Sequence, residues 1–316
     1  MKIWTFPLLV LALFVTLLGP AVAFSGSGSG TENDPYQIWN VSQLQEMRDD
    51  LYAHYVLVHD INARPTLSWN DGMGFEPIGY QGVSFRGSFD DRGHTIKNLN
   101  IRRSDISHAD LFGYVAQDAI IENLRLEDQH VTNTNTGNNT ATGSLVAINA
   151  GTIRWCSVGR FVLGKIWKPG TGRGIIPGGL VGINFGTITE SYSEAFVKGP
   201  GMVPNSAMGG LVETNQGEVS RSYSTGKCAG TPLSEAWCDG TGGGSIVESY
   251  STGEVSGSSG VGGLVGYNDG GAVENSFWDN EAPGGRIPVQ AGPRRVPPRC
   301  RQSPTFTTAG WDFENV

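Results

Sequence analysis

The residues with the clearest capacity for acid–base chemistry in this 316-residue chain are its carboxylic acids and histidines. One group lies before residue 111 and the other recurs at wider intervals: Asp90, Asp91, His94, His108 and Asp110, followed by Glu190, Glu218, Glu248 and Glu274. Two carboxyl groups that flank a glycosidic bond can catalyse its hydrolysis. The local sequence favours other roles, because Asp90 and Asp91 precede Gly93 as in a turn and the glutamates do not share one column. We therefore predict no catalytic residues.

The chain lacks the short motifs of several enzyme and cofactor classes. It contains no His-Glu-x-x-His zinc motif, no Gly-x-Ser-x-Gly nucleophile turn and no phosphate-binding Gly-Lys-Ser/Thr loop. Its five histidines and four cysteines show no metal-ligand spacing, so we expect neither a metal nor a cofactor. The formal net charge of −8 argues against a nucleic-acid partner.

A recurring sequence motif must position the side chains that carry the function. Its clearest copies are GGLVGINFGTITESYS at 178–193 and GGLVGYNDGGAVENSFW at 262–278. The leucines of the five copies are spaced by 34, 35, 31 and 53 residues, and the long last step contains a partial sixth copy at 242–255: Leu111, Leu145, Leu180, Leu211 and Leu264. A near-constant period of this size is typical of a solenoid.

Each unit contains two short apolar runs separated by Asn-x-Gly, which predicts short strands between glycine-containing turns. No run is long and periodic enough for a helix within the repeats. Without a crossover helix, each strand is expected to pair with its equivalent in the next unit. We therefore predict an all-β fold, a right-handed parallel β-helix with one coil per repeat, the handedness following from the general preference of parallel crossovers.

Stacking of the coils predicts columns of equivalent side chains roughly 4.8 Å apart. Two columns stand out, one of amides and one of aromatic rings: Asn149, Asn184, Asn215 and Asn268, and Tyr192, Tyr223, Tyr250 and Phe277. The amides could bond along the stack and the rings could stack on one another. The columns could serve as a ligand-binding stripe, but their recurrence from unit to unit favours a structural role.

The N-terminus indicates export. Lys2 precedes an apolar stretch at 7–18, and Ala21-Val22-Ala23 forms a small-x-small cleavage site. We expect a signal peptide at 1–23, cleavage after Ala23, and a secreted or cell-surface protein. An uncleaved signal anchor stays open as an alternative. No later stretch is apolar enough to span a membrane. We therefore expect membrane attachment only through an anchor that the sequence does not reveal.

The rest of the chain divides into three predicted regions. Residues 24–108 form a flexible lead-in, an N-terminal cap and the first irregular coils, with one short helix that we expect Ser42 to cap. Residues 109–279 form the repeats. Residues 280–316 form an irregular tail rich in arginine and proline, at which the chain could be truncated or its reading frame shifted.

The cysteines and two tryptophans provide further candidates. Cys228 and Cys238 bracket an insertion, and a disulfide between them would staple the protruding loop. Cys156 takes the place of a serine in the repeat, where a buried thiol is expected, and the pairing of both Cys156 and Cys300 stays open. Trp167 and Trp237 lie in segments between repeats, where each could contact a sugar or a host protein or could pack over a coil.

The phrase G-G-L-V-G-x-N-x-G-x-I-x-x-S-Y resembles the GLUG repeat. That repeat occurs in bacterial and archaeal surface proteins, in adhesins of the filamentous haemagglutinin type, and beside some immunoglobulin-A-cleaving metallopeptidases. The segment at 30–38 is similar to the leader of such repeats, and Ser276-Phe277-Trp278-Asp279 is similar to their usual exit. The resemblance implies a surface scaffold with no single activity, here without the protease domain.

Three functions follow from these observations. The expected one is an exported, non-catalytic scaffold for adhesion to a glycan, to extracellular matrix or to a host protein. The first alternative is a polysaccharide lyase or glycoside hydrolase, because such enzymes also use parallel β-helices. The second is a structural spacer that displays a domain not contained in this chain.

Overall fold

The structure is a computed structural model, and the described part of the chain forms a parallel β-solenoid of about five turns with very little helix. The predicted all-β solenoid is therefore confirmed. The described residues are 24–80, 82–133, 141–159, 176–198, 208–229, 243–256, 261–262, 265–268 and 271–278.

The described residues up to 133 form one short helix, two 3-10 turns and ten strands. The helix is α1 (Val41–Glu46), and the 3-10 turns are Arg64–Ser68 and Asn70–Gly72. The strands are β1 (Tyr36–Ile38), β2 (His54–Leu57), β3 (Ile61–Asn62), β4 (Ser88–Asp90), β5 (Thr95–Lys97), β6 (Asn100–Arg103), β7 (Phe112–Val115), β8 (Ile120–Glu122), β9 (Arg125–Glu127) and β10 (His130–Asn133).

The described residues from 141 onward form strands of two to four residues, as expected for a chain in which turn residues interrupt every apolar run. They are β11 (Ala141–Thr142), β12 (Val146–Asn149), β13 (Thr152–Arg154), β14 (Ser157–Val158), β15 (Ile176–Pro177), β16 (Val181–Asn184), β17 (Thr187–Thr189), β18 (Tyr192–Ser193), β19 (Val197–Lys198), β20 (Met208–Gly209), β21 (Val212–Asn215), β22 (Glu218–Ser220), β23 (Tyr223–Ser224), β24 (Cys228–Ala229), β25 (Ser245–Val247), β26 (Tyr250–Ser251), β27 (Val255–Ser256), β28 (Val261–Gly262), β29 (Val265–Asn268), β30 (Val273–Glu274) and β31 (Phe277–Trp278).

Three long sheets run along the solenoid, and four smaller sheets join the remaining strands. The nine-stranded sheet has the order β1-β2-β4-β8-β13-β17-β22-β25-β30, the eight-stranded sheet β3-β5-β9-β14-β18-β23-β26-β31, and the five-stranded sheet β29-β21-β16-β12-β7. Each strand pairs in parallel with its equivalent in the next coil. Ile153, for example, pairs with Ile188, which pairs with Val219. The repeat therefore sets the register of the sheets.

The core lies inside the coils and widens toward the cap. In the repeats it consists of aliphatic side chains such as Ile153 and Ile188, which are fully buried. In the first coils the larger rings of Phe85, Phe89 and Phe112 fill the interior, with centroid distances of 5.1 and 5.9 Å from Phe112 to the other two. The cap region thus carries the bulkiest part of one continuous hydrophobic core.

The helix of the cap begins two residues earlier than predicted. Asn40 is its N-cap, and its side chain accepts a hydrogen bond from the Gln43 amide at 3.0 Å. Gln43 in turn accepts from the backbone amide of Trp39 at 2.7 Å. The prediction of Ser42 as the cap is wrong because Asn and Ser both suit this position, and the hydrogen bond from the Gln43 amide to Asn40 places Ser42 inside the helix.

Columns of identical side chains link the coils. The side-chain amide of Asn149 donates to Asn184 at 2.8 Å, and that of Asn184 donates to Asn215 at 2.8 Å. The Tyr192 and Tyr223 rings stack with a centroid distance of 4.7 Å and an interplanar angle of 2°. Tyr223 and Tyr250 stack at 5.0 Å, and the strands of Asn268 and Phe277 continue the backbone register of the two columns.

A serine column runs beside the aromatic one. The hydroxyl oxygens of Ser191, Ser222, Ser249 and Ser276 each accept from the backbone amide of the preceding coil, at 3.0 to 3.2 Å. Cys156 heads this column, and its thiol is buried and free. Burial raises the pKa of the Cys156 thiol well above its usual range, so it is an unreactive core group.

Candidate functional site

The most exposed large aromatic side chain of the described repeats is Trp155, at the edge of the nine-stranded sheet. Successive residues of a strand point to opposite sides, so β13 directs Ile153 into the core and presents Thr152 and Arg154 outward. We call the surface around Trp155 the tryptophan face. It comprises Glu122, Thr152, Arg154, Trp155, Thr187, Thr189, Glu190 and Arg221, which lie on or directly after neighbouring strands of this sheet.

Trp155 occupies a corner at which the chain leaves the nine-stranded sheet. The residues directly after β8, β13, β17 and β22 occupy equivalent corners, and all have a positive φ. The φ is 59° at Asn123, 54° at Trp155, 49° at Glu190 and 45° at Arg221. The left-handed conformation costs residues other than glycine roughly 1–2 kcal/mol. The corner imposes this conformation, and it leaves the indole of Trp155 49% exposed. The strain is common to these corners, and the exposed aromatic side chain is what distinguishes the corner at Trp155.

Arg154 holds the indole in place. Its guanidinium carbon lies 4.8 Å from the Trp155 ring centroid, within range of a cation–π interaction. Two of its nitrogens, Nε and Nη2, each lie 2.6 Å from Oε2 of Glu122 in the preceding coil. The carboxylate therefore fixes the guanidinium, and the guanidinium fixes the indole. The result is a preformed apolar platform beside a neutralised charge pair.

The next coils continue the face with hydroxyl groups and a second ion pair. Arg221 Nε donates to Glu190 Oε1 at 3.0 Å, and Arg221 Nη2 donates to Thr189 Oγ1 at 3.2 Å. The Ser220 hydroxyl also donates to Thr189 Oγ1, at 3.1 Å. Both arginines of the face are thus neutralised by glutamates. The face can therefore bind a neutral polar ligand by stacking on the Trp155 ring and by hydrogen bonds.

A second exposed aromatic lies at the other edge of the same sheet. Phe185 is 48% exposed and precedes β17 by two residues. At about 3.3 Å per extended residue, the five steps from Phe185 to the Glu190 corner cover roughly 16 Å. Phe185 and the Glu190 corner therefore lie at opposite ends of β17, with Thr187 and Thr189 between them.

The carboxyl groups considered for catalysis serve turns or lie in the core. Asp91 accepts hydrogen bonds from the backbone amides of Gly93 and Arg125, both at 2.8 Å. Burial raises the pKa of Asp91 to about 7, although these two bonds oppose the shift. Asp90 accepts from the Arg92 amide and the Asn123 side chain at 2.8 and 2.7 Å. Asp110 is fully buried, and its burial raises its pKa well above the usual range.

The histidines and the repeat glutamates are not gathered with these groups into a metal site. Glu190 and Glu248 share the corner column, with Arg221 between them, whereas Glu218 begins β22. Burial lowers the pKa of His108, so it is neutral near pH 7. Among the residues that the structure describes, no group of three or more His, Cys, Asp or Glu could hold a metal ion. Likewise, no helix in this part of the chain is long and apolar enough to cross a membrane.

Two relatives match parts of the chain in sequence. Residues of this chain are 38% identical over 133 positions to halomucin of Haloquadratum walsbyi, a match that covers 40% of this chain and 1% of halomucin. They are 33% identical over 111 positions to a candidate Gly-rich membrane protein of Evansella cellulosilytica, covering 34% of this chain and 13% of that protein. The chain thus spans only a small part of either relative. No protein-family model matches it.

Two solved structures resemble the chain in three dimensions. A candidate immunoglobulin A1 protease from Bacteroides ovatus superposes with a TM-score of 0.60 and 20% identity, over 83% of this chain and 81% of that one. The shared feature is the β-solenoid. A second chain, named IgA1 protease, gives a TM-score of 0.50 and 18% identity over 76% of this chain and 21% of its own length. At this identity the likeness concerns the fold, and it does not carry a catalytic activity to this chain.

The tryptophan face was not among the sites predicted from the sequence. Trp167, Trp237 and Cys238 lie outside the described residues, and Cys228 lies in β24. Trp155 was missed because it interrupts the repeat, where it reads as a departure from the pattern. The sequence contained one indication of the site. The repeat aligns Trp155 with Glu190, 35 residues later, and an acidic residue at the equivalent position of the next coil indicates that this position is exposed.

Proposed function

We propose that this chain is an exported cell-surface β-solenoid scaffold that adheres to glycans through the tryptophan face. The observation that carries the proposal is the exposed indole of Trp155, held by the Arg154–Glu122 pair beside the outward-facing threonines of the neighbouring strands. An indole stacks on the apolar face of a sugar ring, and threonine and arginine side chains bond its hydroxyls.

Location at the cell surface is supported by independent features. The segment at 1–23 has the pattern of a secretory signal, and the sequence relatives are named as a halomucin and a membrane protein. A scaffold is favoured over an enzyme because the grouped carboxyl groups of the described residues are engaged by backbone amides or buried.

Binding of the chain from Phe24 onward to an array of polysaccharides and matrix proteins tests this proposal, with product analysis of each polysaccharide bound. We expect saturable binding of at least one glycan without cleavage. Trp155→Ala should weaken that binding by about tenfold or more, as truncation of a central aromatic anchor does. Trp39→Ala is the matched control, because Trp39 is also 49% exposed but lies in the cap.

The other outcomes separate the alternatives. Cleavage products would replace the adhesin with a polysaccharide-active enzyme. No binding to any glycan or matrix protein would leave a spacer as the better account. Equal losses from the Trp155 and Trp39 substitutions would place the contact elsewhere than on the tryptophan face.

A further inference from the structure

The N-terminal cap contains a concave surface that the tryptophan face does not include. It is a cleft of about 410 Å³ between the end of α1 and the two 3-10 turns, which we call the cap cleft. Its lining residues are Gln45, Arg48, Trp69, Asn70 and Glu76. Sites for small ligands typically have volumes of about 300–1,000 Å³. The cap cleft therefore has room for a small molecule.

The walls of the cap cleft are fixed by hydrogen bonds. The side-chain amide of Gln45 donates to the carbonyl oxygen of Glu76 and accepts from the Glu76 backbone amide, both at 2.8 Å. This exchange joins α1 to the segment that carries Glu76. The Asn70 side chain donates to the carbonyl oxygen of Gly74 at 2.7 Å, which closes the loop on the other side. The cleft is thus preformed, which lowers the entropy cost of binding.

A tightly turned loop places Trp69 in the cleft. Asn70 and Asp71 have φ values of 52° and 55°, and Gly72 and Gly74 both have a φ of 84°. At Gly74 a Cβ atom would lie 2.2 Å from the carbonyl oxygen of Asn100, so this position requires glycine. One part of the Trp69 side chain packs against the core, and the remaining part borders the cleft. The loop therefore holds an indole surface in a rigid position.

The charges around the cleft balance. Glu76 forms an ion pair with Arg48 and lies 4.0 Å from Arg103, which is paired with Asp105 at 2.6 Å. Two guanidinium groups thus face two carboxylates. A ligand with a net charge would gain no uncompensated partner here. A neutral ring with several hydroxyl groups would find an apolar surface at Trp69 and polar groups at Asn70, Arg48 and Glu76.

We infer that the cap cleft binds a neutral pyranose sugar, with Trp69 as the stacking surface and Asn70, Arg48 and Glu76 as hydrogen-bond partners of its hydroxyls. This site goes beyond the proposed function and does not depend on it, because a free sugar can occupy the cleft whether or not the tryptophan face binds a polymer.

Fluorine NMR of the chain labelled with 5-fluorotryptophan tests the inference. The probes are glucose, galactose and N-acetylglucosamine, each titrated separately through millimolar concentrations, and Trp69→Phe and Trp155→Phe assign the two relevant resonances. We expect a saturable shift of the Trp69 resonance with at least one sugar. Arg48→Ala should weaken that binding by about fivefold, the effect of losing one hydrogen bond. Arg48 is 47% exposed, so its removal should leave the fold intact.

Tyr80→Ala is the matched control, because Tyr80 is an exposed aromatic of the same cap and does not line the cleft. It should leave the affinity unchanged. A Trp69 resonance that none of the three sugars moves, or that responds identically in the Arg48→Ala variant, would overturn the inference. Tighter binding of glucuronate or glucosamine than of the neutral sugars would overturn the ligand class. The Trp155 resonance reports the tryptophan face separately, so failure at one site is distinguishable from failure at the other.

Discussion

Glu213 is a buried carboxylic acid of the described repeats that belongs to neither proposed site. It lies in β21, opposite Gly182 of the preceding coil, and it is fully buried. Burial raises its pKa from an ordinary value of 4.5 to about 8. A hydrogen bond with the Thr214 side chain lowers its pKa, but the effect of burial is larger. The side chain is therefore mostly protonated at pH 7, and ionisation of Glu213 opposes folding.

The pH dependence of stability follows from this shift. The folded state binds the Glu213 proton more tightly than the unfolded state does. The stabilisation of the folded state that comes from this proton is therefore complete below about pH 4.5 and is lost as the pH rises to about 8. Glu213→Gln keeps the shape and cannot ionise. We expect it to be more stable than the unsubstituted chain at pH 8 by about 1–3 kcal/mol, and nearly equal to it at pH 5.

Urea unfolding of both proteins from pH 5 to pH 9 measures this difference. The comparison isolates Glu213 because Asp91 and Asp110, whose pKa values are also raised by burial, contribute equally to both proteins. Parallel loss of stability in the two proteins would contradict the assignment.

At the scale of the strands and corners, the side-chain columns couple each coil to the next. Asn184 is the middle of the amide column, since it accepts from Asn149 and donates to Asn215. It also donates to the carbonyl oxygen of Gly186 at 3.2 Å, which supports the corner of its own coil. One side chain therefore stabilises three successive coils.

Removal of this amide should destabilise the chain more than removal of an exposed side chain from the same region. Asn184→Ala removes the buried hydrogen bonds that Asn184 accepts from Asn149 and donates to Asn215, and we expect a loss of about 2–4 kcal/mol in the free energy of unfolding. Glu218→Ala is the control, because Glu218 is exposed and only its backbone oxygen contacts Asn184. Chemical denaturation checks both variants. Similar losses would show that the column does not carry stability.

The repeats could be predicted from the sequence because identical residue types recur at one period, and a period constrains neighbours in three dimensions. The corner at Trp155 could not be predicted in this way, because its conformation comes from the sheet and its residue type changes from coil to coil. The cap cleft was also invisible, since α1 and the Trp69 loop are brought together by non-repeating contacts. The helix start was misplaced because Asn40 and Ser42 have similar capping ability.

Within the described part of the solenoid, burial of the core differs between the two ends of the nine-stranded sheet. Near the cap, the inward column of the nine-stranded sheet is fully buried at Phe89 and Ile121, whereas Val273 at the other end of this column is 45% exposed. Among the described residues, β30 is the last strand of this sheet and pairs with β25. Local stability should therefore decrease along the axis, since each coil of a solenoid is stabilised by its neighbours.

Hydrogen exchange followed by mass spectrometry measures this gradient. We expect peptides that contain β8 and β13 to exchange slowest and peptides that contain β30 and β31 to exchange at least about tenfold faster under native conditions. The early and late strands are compared within one sample. All four are short strands of the long parallel sheets, so they differ mainly in their position along the axis. Equal protection along the axis would contradict a graded solenoid and favour a single cooperative unit.

The register of the nine-stranded sheet has a consequence for how such a chain can change. Ile153 pairs with Ile188, 35 residues later, Ile188 with Val219, 31 residues later, and Val219 with Ile246, 27 residues later. The axial advance per coil is nevertheless one strand separation, about 4.8 Å. Chain length between strands is therefore decoupled from molecular length. Segments can be exchanged one coil at a time, altering what is displayed to a partner while the positions at which it is displayed stay the same.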